Sequence, residues 1–565
     1  MCRVLLIAPR FYGRTFWSFD ATFKVYSAGA KALTSPLGLI TVAALLPALW
    51  QCRLVNRNTE VLTDSDLDWA DLVMTGGMLA QQPDTLEIID LAHARGKPVA
   101  VGGPHVTSLP EAYAAADFRV LGEAEAIIDE FVQAWESGAR SGLFEAEKFT
   151  ADITKTPIPR FDLLKRDQYL YYGVQFARGC PFTCEFCDII ELYGRNPRVK
   201  SAEQMLAELE TLYRLGYRGQ LDFVDDNFIG NKKAVKAFLP HLIAWQKARG
   251  YPFQLSTEAS INVADDDVLL ALMREANFYL IFVGIESPES GTLVSMQKKQ
   301  NTRRSLSDSV HKIYRAGILV MAGFILGFDT EAGDVAGGIV DCIEATSIPI
   351  CVVGLLYALP GTQLTRRLAR EQRLYDESYT WHRLAEAGAA DQCIAGLNFD
   401  TARPRREILA DYHRVLERIY SVDAFFARVR RVAETLSRPG LDKSASSDPP
   451  PKRIYGIARH DLATLWQIVW WLALRQPRAL WLFASLLRDC LTKYPGSVPA
   501  VCTLTAIYLH VGPFFSRFVT SALDRQIAEI DSGGWQSPLS GAGELSGVQP
   551  VRADETEPRL RAPAH

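Results

Sequence analysis

Short apolar runs, each closed by glycine, proline or a polar residue and separated by helical pattern, recur along residues 1–375. That rhythm restricts the chain to parallel sheet. Strands covered on both faces read as unbroken apolar runs, and each parallel neighbour needs a crossover helix. In residues 1–145 the runs are RVLLIAP, CRLVN, DLVMTGG, PVAVGGP and FRVLGE. Between them, TLEIIDLAHARGK has Leu86, Ile89 and Leu91 at helical spacing and stops at Gly96, giving helix, turn, then strand. This predicts a doubly wound, Rossmann-like α/β domain, whose ligand sits outside the carboxyl ends of the strands. Residues 146–172 carry Pro157 and Pro159 and little periodicity, and read as a linker. From 173 to 375 the runs YGVQFARG, QLDFVDDN, FQLSTEAS, YLIFVGIES, VMAGFILGF and ICVVGLLYAL predict a partial (β/α)6 barrel, short of the full eight units. Ser201 and Gln204 form a capping box for one of its helices.

At 565 residues the chain exceeds one core, and three or four folding units are expected. Residues 376–445 read as a helical extension, 437–453 as a Pro/Ser-rich hinge, 455–525 as an apolar, tryptophan-rich helical region and 531–565 as a disordered tail. A net charge of −4 without a basic stripe disfavours nucleic acid. Ten cysteines are too sparse for a disulfide scaffold, and the apolar run Val4–Ala8 is too short for a secretion signal. A reducing cytoplasm is the default expectation. Within 461–520, Arg475, Arg478 and Arg488 interrupt one apolar run, while His510, Gly512 and two prolines interrupt the other. An interfacial helix pair or a helical cap on the barrel suits this pattern better than a span. The interfacial alternative implies peripheral membrane contact.

RGCPFTCEFCD, residues 178–188, places Cys180, Cys184 and Cys187 within eight positions. Structural zinc wants four ligands, and no further His or Cys follows until His241. Three thiolates suit a 4Fe–4S cluster with one iron open to a non-protein ligand. Chance clustering and a three-cysteine zinc site are the alternatives.

CPFTCEFC, with Phe186 before the last cysteine, resembles the radical S-adenosylmethionine (SAM) signature. The resemblance implies a cluster whose open iron is chelated by SAM, with an external one-electron reductant. It extends to the strand ends. FVDDNF offers Asp225, Asp226 and Asn227 to the SAM ammonium. LSTEAS offers Ser256 and Glu258 to the ribose. VGIES resembles the segment along the adenine (Gly284, Ile285, Glu286), and GFILGF supplies Gly323 and Gly327 for close backbone approach. Glu286 reads equally as a structural acid in the barrel mouth. Arg178 reads as a cofactor contact or as a cap on the loop, and Tyr171 as packing or as a mouth residue.

In the first domain, MTGGM (Thr75, Gly76, Gly77, Met78), VGGPHVT (Gly102, Gly103, His105, Thr107) and LGE (Gly122, Glu123) resemble the loops of the cobalamin-binding domain in the cobalamin-dependent radical SAM class. His105 reads alternatively as a backbone-bonded loop histidine. No Asp-x-His-x-x-Gly stretch is present, so no histidine ligand to cobalt is expected from the loop after the first strand. FVDDNFIGNKKAVKAFLPHLIAWQKARGYPF and the later GFDT and LPGT resemble the subgroup that includes the hopanoid C-2 methylase, with its C-terminal domain of unassigned role. The resemblance implies a C-methyltransferase acting on an unactivated carbon of a small or lipid-like molecule. A 5′-deoxyadenosyl radical takes the substrate hydrogen, and methylcobalamin supplies the methyl. The alternatives are a non-methylating oxidation, cyclisation or rearrangement on the same cofactors, and a non-catalytic cofactor-binding sensor.

Overall fold

The computed structural model describes residues 2–11, 15–16, 29–376, 392–437 and 459–540. Among them, the strands before residue 146 are β1 (Arg3–Ala8), β2 (Ala32–Thr34), β3 (Gln51–Asn56), β4 (Leu72–Thr75), β5 (Val99–Gly102), β6 (Phe118–Leu121) and β7 (Gly142–Glu145). Six form a parallel sheet in the order β3-β1-β4-β5-β6-β7. Alternate side chains fill the two faces. Leu5, Ile7, Val73 and Val101 pack with Ile88 and Ile89 of the helix Gln82–His93, while Val4, Leu6, Leu72 and Ala100 pack with Ile128 and Phe131 of the helix Ile128–Glu136. Each such side chain contributes about 1.5–3 kcal/mol by leaving water. Chain order reverses between β1 and β4, and Thr75 Oγ1 donates to Ile7 O across that switch point (2.8 Å). The loops following β4, β5 and β6 therefore share one edge.

The sequence reading of this unit needs two corrections. β7 is a sixth strand, and β2 does not belong to the first sheet at all. It pairs in parallel with β8 (Tyr169–Val174), so the segment 1–145 feeds both sheets. β8 also begins four residues before the predicted end of the linker, whose body is a series of single 3₁₀ turns at 153–155, 161–163 and 166–168.

After a short hairpin of β9 (Ala177–Arg178) and β10 (Arg198–Val199), the second sheet continues with β11 (Gly219–Phe223), β12 (Phe253–Glu258), β13 (Phe278–Glu286), β14 (Leu319–Leu326) and β15 (Cys351–Leu355). Its order is β15-β14-β13-β12-β11-β8-β2, and every pair is parallel. β2 and β15 are free edges, so the barrel is open. Outward residues such as Leu255, Ile281, Val283, Val320, Phe324 and Val353 are fully buried under helices. Inward residues of the same strands, among them Asp222, Leu280, Phe282, Met321, Ile325 and Val352, are only half-buried. The lumen is thus hollow. The capping box is half-formed: Ser201 Oγ accepts from Gln204 N (3.1 Å), but the Gln204 amide donates to Ile153 O and Thr156 O, stapling the linker to the barrel.

The C-terminal helices close the β15 side. Tyr412 OH donates to Val353 O (2.7 Å), and the Tyr420 hydroxyl bridges the backbone of Cys351. The helices Arg459–Arg475 and Pro477–Lys493 continue this layer, burying Ile468, Leu472, Phe483 and Leu486. Among the described residues one helix, Pro495–Asp531, is long and apolar enough to cross a bilayer, but 61 % of its apolar stretch is buried inside the protein. The predicted tail begins ordered: Ser537 Oγ donates to Asp400 Oδ1 (2.7 Å) and the Arg405 guanidinium lies over Trp535. Residues 541–565 and most of the 437–453 hinge lie outside the described residues, as does much of the loop after β1 on which the cobalt-ligand expectation rested.

Candidate active site

The cysteine segment leaves β9 through Gly179, at φ 97°, where a Cβ would stand 2.9 Å from Gly194 O. Only glycine fits that approach. Cys180 N donates to Gly194 O (3.2 Å), Cys187 N to Cys184 O (3.2 Å) and Glu185 N to Met296 O (3.0 Å). Leu364 N donates to Glu185 O (2.9 Å), and Arg367 Nε donates to the Glu185 carboxylate (2.6 Å). The loop is therefore held by its own hairpin, by the segment after β13 and by the helix Gln363–Arg370. Two amides reach the sulfurs: Asn227 Nδ2 to Cys180 Sγ (3.8 Å) and Gln300 Nε2 to Cys184 Sγ (3.7 Å). Among the described residues no three His, Cys, Asp or Glu side chains are placed to hold a single metal ion. The charges of Cys184 and Cys180 both bear on Cys187, so the three thiols stand together, and three thiolates suit a cubane with one open iron.

The strand-end residues carry structural hydrogen bonds that the sequence did not show. Asp225 Oδ1 accepts from Phe176 N (2.7 Å) and Ala177 N (3.0 Å), and Asp226 Oδ2 accepts from Gly179 N (3.0 Å). Asn227 Oδ1 accepts from Ser260 N (3.2 Å). Asp225 and Asp226 thus fasten the chain entering the cysteine loop, while Asn227 ties to the segment after β12. Asp225 Oδ2 alone remains buried without a hydrogen bond. Ser256 Oγ is committed to Asp222 Oδ1 (2.5 Å). Ile285 is fully buried on the outer face and so does not line the lumen. Gly327 makes room for the extension: a Cβ there would lie 2.5 Å from Leu397 Cδ2. Glu286, at φ 66°, pairs with Lys298 Nζ (2.6 Å), and a Cβ on Gly284 would strike both partners. Gly323 lies beside Phe282 and Glu286 of the neighbouring strand β13. Phe186 packs on Phe328 with the Lys298 ammonium 5.8 Å from its ring.

Burial raises the carboxyls of Asp222 and Asp226 to about 6, and that of Asp225 to about 8. Glu258 is reached by water at the end of β12, yet it stands inside the mouth. Desolvation first, then the charges of Asp222, Asp226 and Asp225, raise it to about 8. A mouth with this surplus of carboxyl groups suits a ligand of net positive charge, as SAM is with its ammonium and sulfonium against one carboxylate. Lys298 and Asp222 escaped the sequence reading. Alternation in QLDFVDD places Asp222 on the inner face, whereas nothing local marks Lys298. Lys298→Met, which strands Glu286 in the interior, is expected to cost about 3–5 kcal/mol. Denaturant melts check it, and adding Glu286→Gln should recover part of the loss.

At the edge of the first sheet the glycine loops form a backbone shelf. A Cβ on Gly76 would lie 1.8 Å from Gly102 O, and Gly103 sits at φ 101° beside Gly77. Met78 and Gly103 are exposed on it. A shelf of glycine backbone, with Met78 as its exposed large side chain, fits a broad planar ligand such as a corrin. Thr107 ties two loops together, donating to Gly103 O (2.8 Å) and accepting from Gly122 N (2.9 Å). His105 is turned inward: its Nδ1 meets Tyr113 OH at 2.8 Å, and burial lowers its pKa to about 4. Glu123 is likewise not on the shelf. It is buried, and pairs with Arg178 (3.1 Å) and Arg198 (2.8 Å) of the hairpin flanking the cysteines. Glu125 pairs with Arg178 beside it (2.7 Å). The shelf and the cysteine loop thus lie on facing sides of one junction, where the helix Pro104–Ser108 also meets Ile189–Leu192.

Comparison with known proteins agrees with this arrangement. Residues 23–132 match the B12 binding domain, 174–336 the Radical SAM superfamily and 362–522 a domain of unknown function, DUF4070. The chain is 46 % identical to an uncharacterized methyltransferase, sll1242, of Synechocystis sp., over 77 % of this chain and 80 % of that protein. It is 35 % identical to the hopanoid C-2 methylase of Rhodopseudomonas palustris, over 85 % of this chain and 88 % of that one. Its fold is shared with the cobalamin-dependent SAM radical enzyme OxsB, solved with aqua-cobalamin bound (TM-score 0.57, 14 % identity, 95 % of this chain and 82 % of that one). The chain belongs to the cobalamin-dependent radical SAM methyltransferases. SAM, a 4Fe–4S cluster and cobalamin are its cofactors, and that membership selects methyl transfer over the alternatives left open by the sequence.

Proposed function

We propose that this enzyme methylates an unactivated carbon of an apolar, lipid-like molecule. The carrying observation is the lumen wall of β13–β15, where Leu280, Phe282, Met321, Ile325 and Val352 point inward and remain half-buried. Apolar side chains left partly uncovered inside a sheet gain from an apolar occupant. The relative named for hopanoid methylation supports the same class. When bound, the three cofactors supply the reducing electron, the radical and the methyl group. The chain's own residues hold and orient. Cys180, Cys184 and Cys187 carry the cluster, the glycine shelf seats the corrin, and Asp222, Ser256 and Glu258 form the polar wall opposite the apolar one. An external one-electron donor completes the system.

The test is anaerobic turnover of reconstituted protein with a panel of polycyclic lipids and, separately, polar small molecules. Lipid gaining one methyl, with S-adenosylhomocysteine and 5′-deoxyadenosine formed together, supports the reading. Methylation of polar compounds alone overturns the lipid class.

None of the ten cysteines is in a disulfide, which suits a reducing, cytoplasmic setting. Peripheral membrane contact is part of the same reading. Trp466, Trp470 and Trp481 are 66 %, 56 % and 69 % exposed beside Leu474 and Leu491, although the opposite faces of their helices are buried. Exposed aromatic rings with Arg475, Arg478 and Arg488 nearby suit a bilayer interface. The full chain is expected to float with anionic liposomes, and a Trp466→Gln/Trp470→Gln/Trp481→Gln variant to remain at the bottom of the gradient. Equal flotation of both would remove the idea.

A further inference from the structure

Four charged side chains span the junction between the two sheets. Glu123 and Glu125 stand just past the end of β6, and their side chains are 4 % and 8 % exposed. Arg178 and Arg198 stand on the two strands of the hairpin, 12 % and 17 % exposed. Arg178 grips both acids, and its two terminal nitrogens reach the two oxygens of Glu125 at 3.0 and 2.7 Å. Arg198 grips Glu123 and also donates to Ala151 O (2.9 Å) and Tyr193 O (3.1 Å). Thr156 of the linker donates to Glu125 (2.8 Å), and Gln175 holds Arg178 Nε (2.8 Å). The set is charge-balanced and buried.

Its place is what distinguishes it from an ordinary domain contact. Arg178 is two residues before Cys180, and the carbonyl that Arg198 holds, Tyr193 O, precedes the Gly194 carbonyl that accepts from Cys180 N. On the other side, Glu123 follows Gly122, whose N–H is bound by Thr107 within the shelf loops. The clamp therefore connects the backbone at the first cluster ligand to the backbone of the shelf, with no more than two residues between ion pair and site at either end. Surface ion pairs fix little, whereas a bidentate arginine in a buried network holds geometry tightly.

We propose that Glu123, Glu125, Arg178 and Arg198 form a latch that sets the spacing between the cluster and the cobalamin. These are positioning residues, and the inference does not depend on which substrate is methylated. The probe is the holoenzyme with cobalt as Co(II) and the cluster reduced or oxidised. Magnetic relaxation of the Co(II) electron-spin signal by the reduced cluster falls steeply with their separation. Glu125→Gln keeps the side-chain shape and leaves the Arg178–Glu123 pair in place. It is expected to retain iron and cobalt, to show weaker relaxation enhancement, and to slow methyl transfer by about 10²-fold, as a displacement near 1 Å can. Arg178→Lys, which keeps the cation but not the fork, should fall between wild type and Glu125→Gln. Unchanged relaxation in Glu125→Gln overturns the proposal. So does loss of both cofactors in both variants, since the network would then be a folding strut and not a spacer.

Discussion

A Cys184→Ala protein is expected to come out of anaerobic reconstitution folded, able to bind cobalamin, and without its cluster. Wild type should carry about four irons per chain. The variant should carry none that is stable, and should release no 5′-deoxyadenosine from SAM and reductant. The loop survives the change because its fastening does not run through the sulfur. Backbone bonds at Cys180, Glu185 and Cys187, the Glu185–Arg367 pair and the Asp226 bond to Gly179 all remain. Cys184 is 9 % exposed, so its truncation removes one small group from a wall that Gln300 otherwise covers. Iron and sulfide analysis beside a cobalamin absorption spectrum decides the matter. Retained iron with product formation would show that Cys184 is not a ligand.

Gly76→Ala is expected to give the complementary result, cluster present and cobalamin absent. The added carbon would sit 1.8 Å from Gly102 O and 2.8 Å from its carbonyl carbon, and both obstacles are backbone. β4 and β5 must part at their carboxyl ends, and overpacking of this kind typically costs about 1–3 kcal/mol. The strain falls on the shelf and spares the barrel, so iron content and the far-ultraviolet spectrum should be unchanged while cobalt is lost. Gly38→Ala is the control. It lies in the helix Leu37–Leu45 with nothing within 4 Å of the new carbon, and should bind cobalamin normally. Cobalt retained in Gly76→Ala would move the corrin away from this shelf.

Period and spacing made the two parallel sheets and the cysteine triplet legible, because strands buried on both faces leave an unbroken apolar record. Short pieces did not register. β2 has three residues and finds its partner, β8, more than a hundred positions away, while β7 is a four-residue edge with two exposed side chains. Side-chain direction at strand ends was not legible either. Asp225, Asp226 and Asn227 sit where acceptors were expected, but they turn to the backbone of the neighbouring loop. LGEAEA shows two acids, and nothing in it distinguishes a cofactor contact from a partner for Arg178, 55 residues on. His105 reads as polar and available in VGGPH, yet Tyr113, eight residues later, draws it inside. In each case the decisive neighbour lies outside the motif itself, where local pattern carries no signal.

The placement of β2 governs how this protein can be taken apart. The chain passes from the first sheet to the second after β1, returns through the helix Leu37–Leu45 to β3, and crosses again at residues 146–168. Three crossings make the halves topologically interleaved, so severing the last one does not yield two autonomous modules. A fragment starting at residue 146 would bare the hydrogen-bonding rim of β8, inviting intermolecular strand addition. An amino-terminal fragment would keep β2 with nothing to lie against. Domain exchange or circular permutation of this chain therefore has to carry β2 along with the barrel it completes, while leaving β1 in the first sheet.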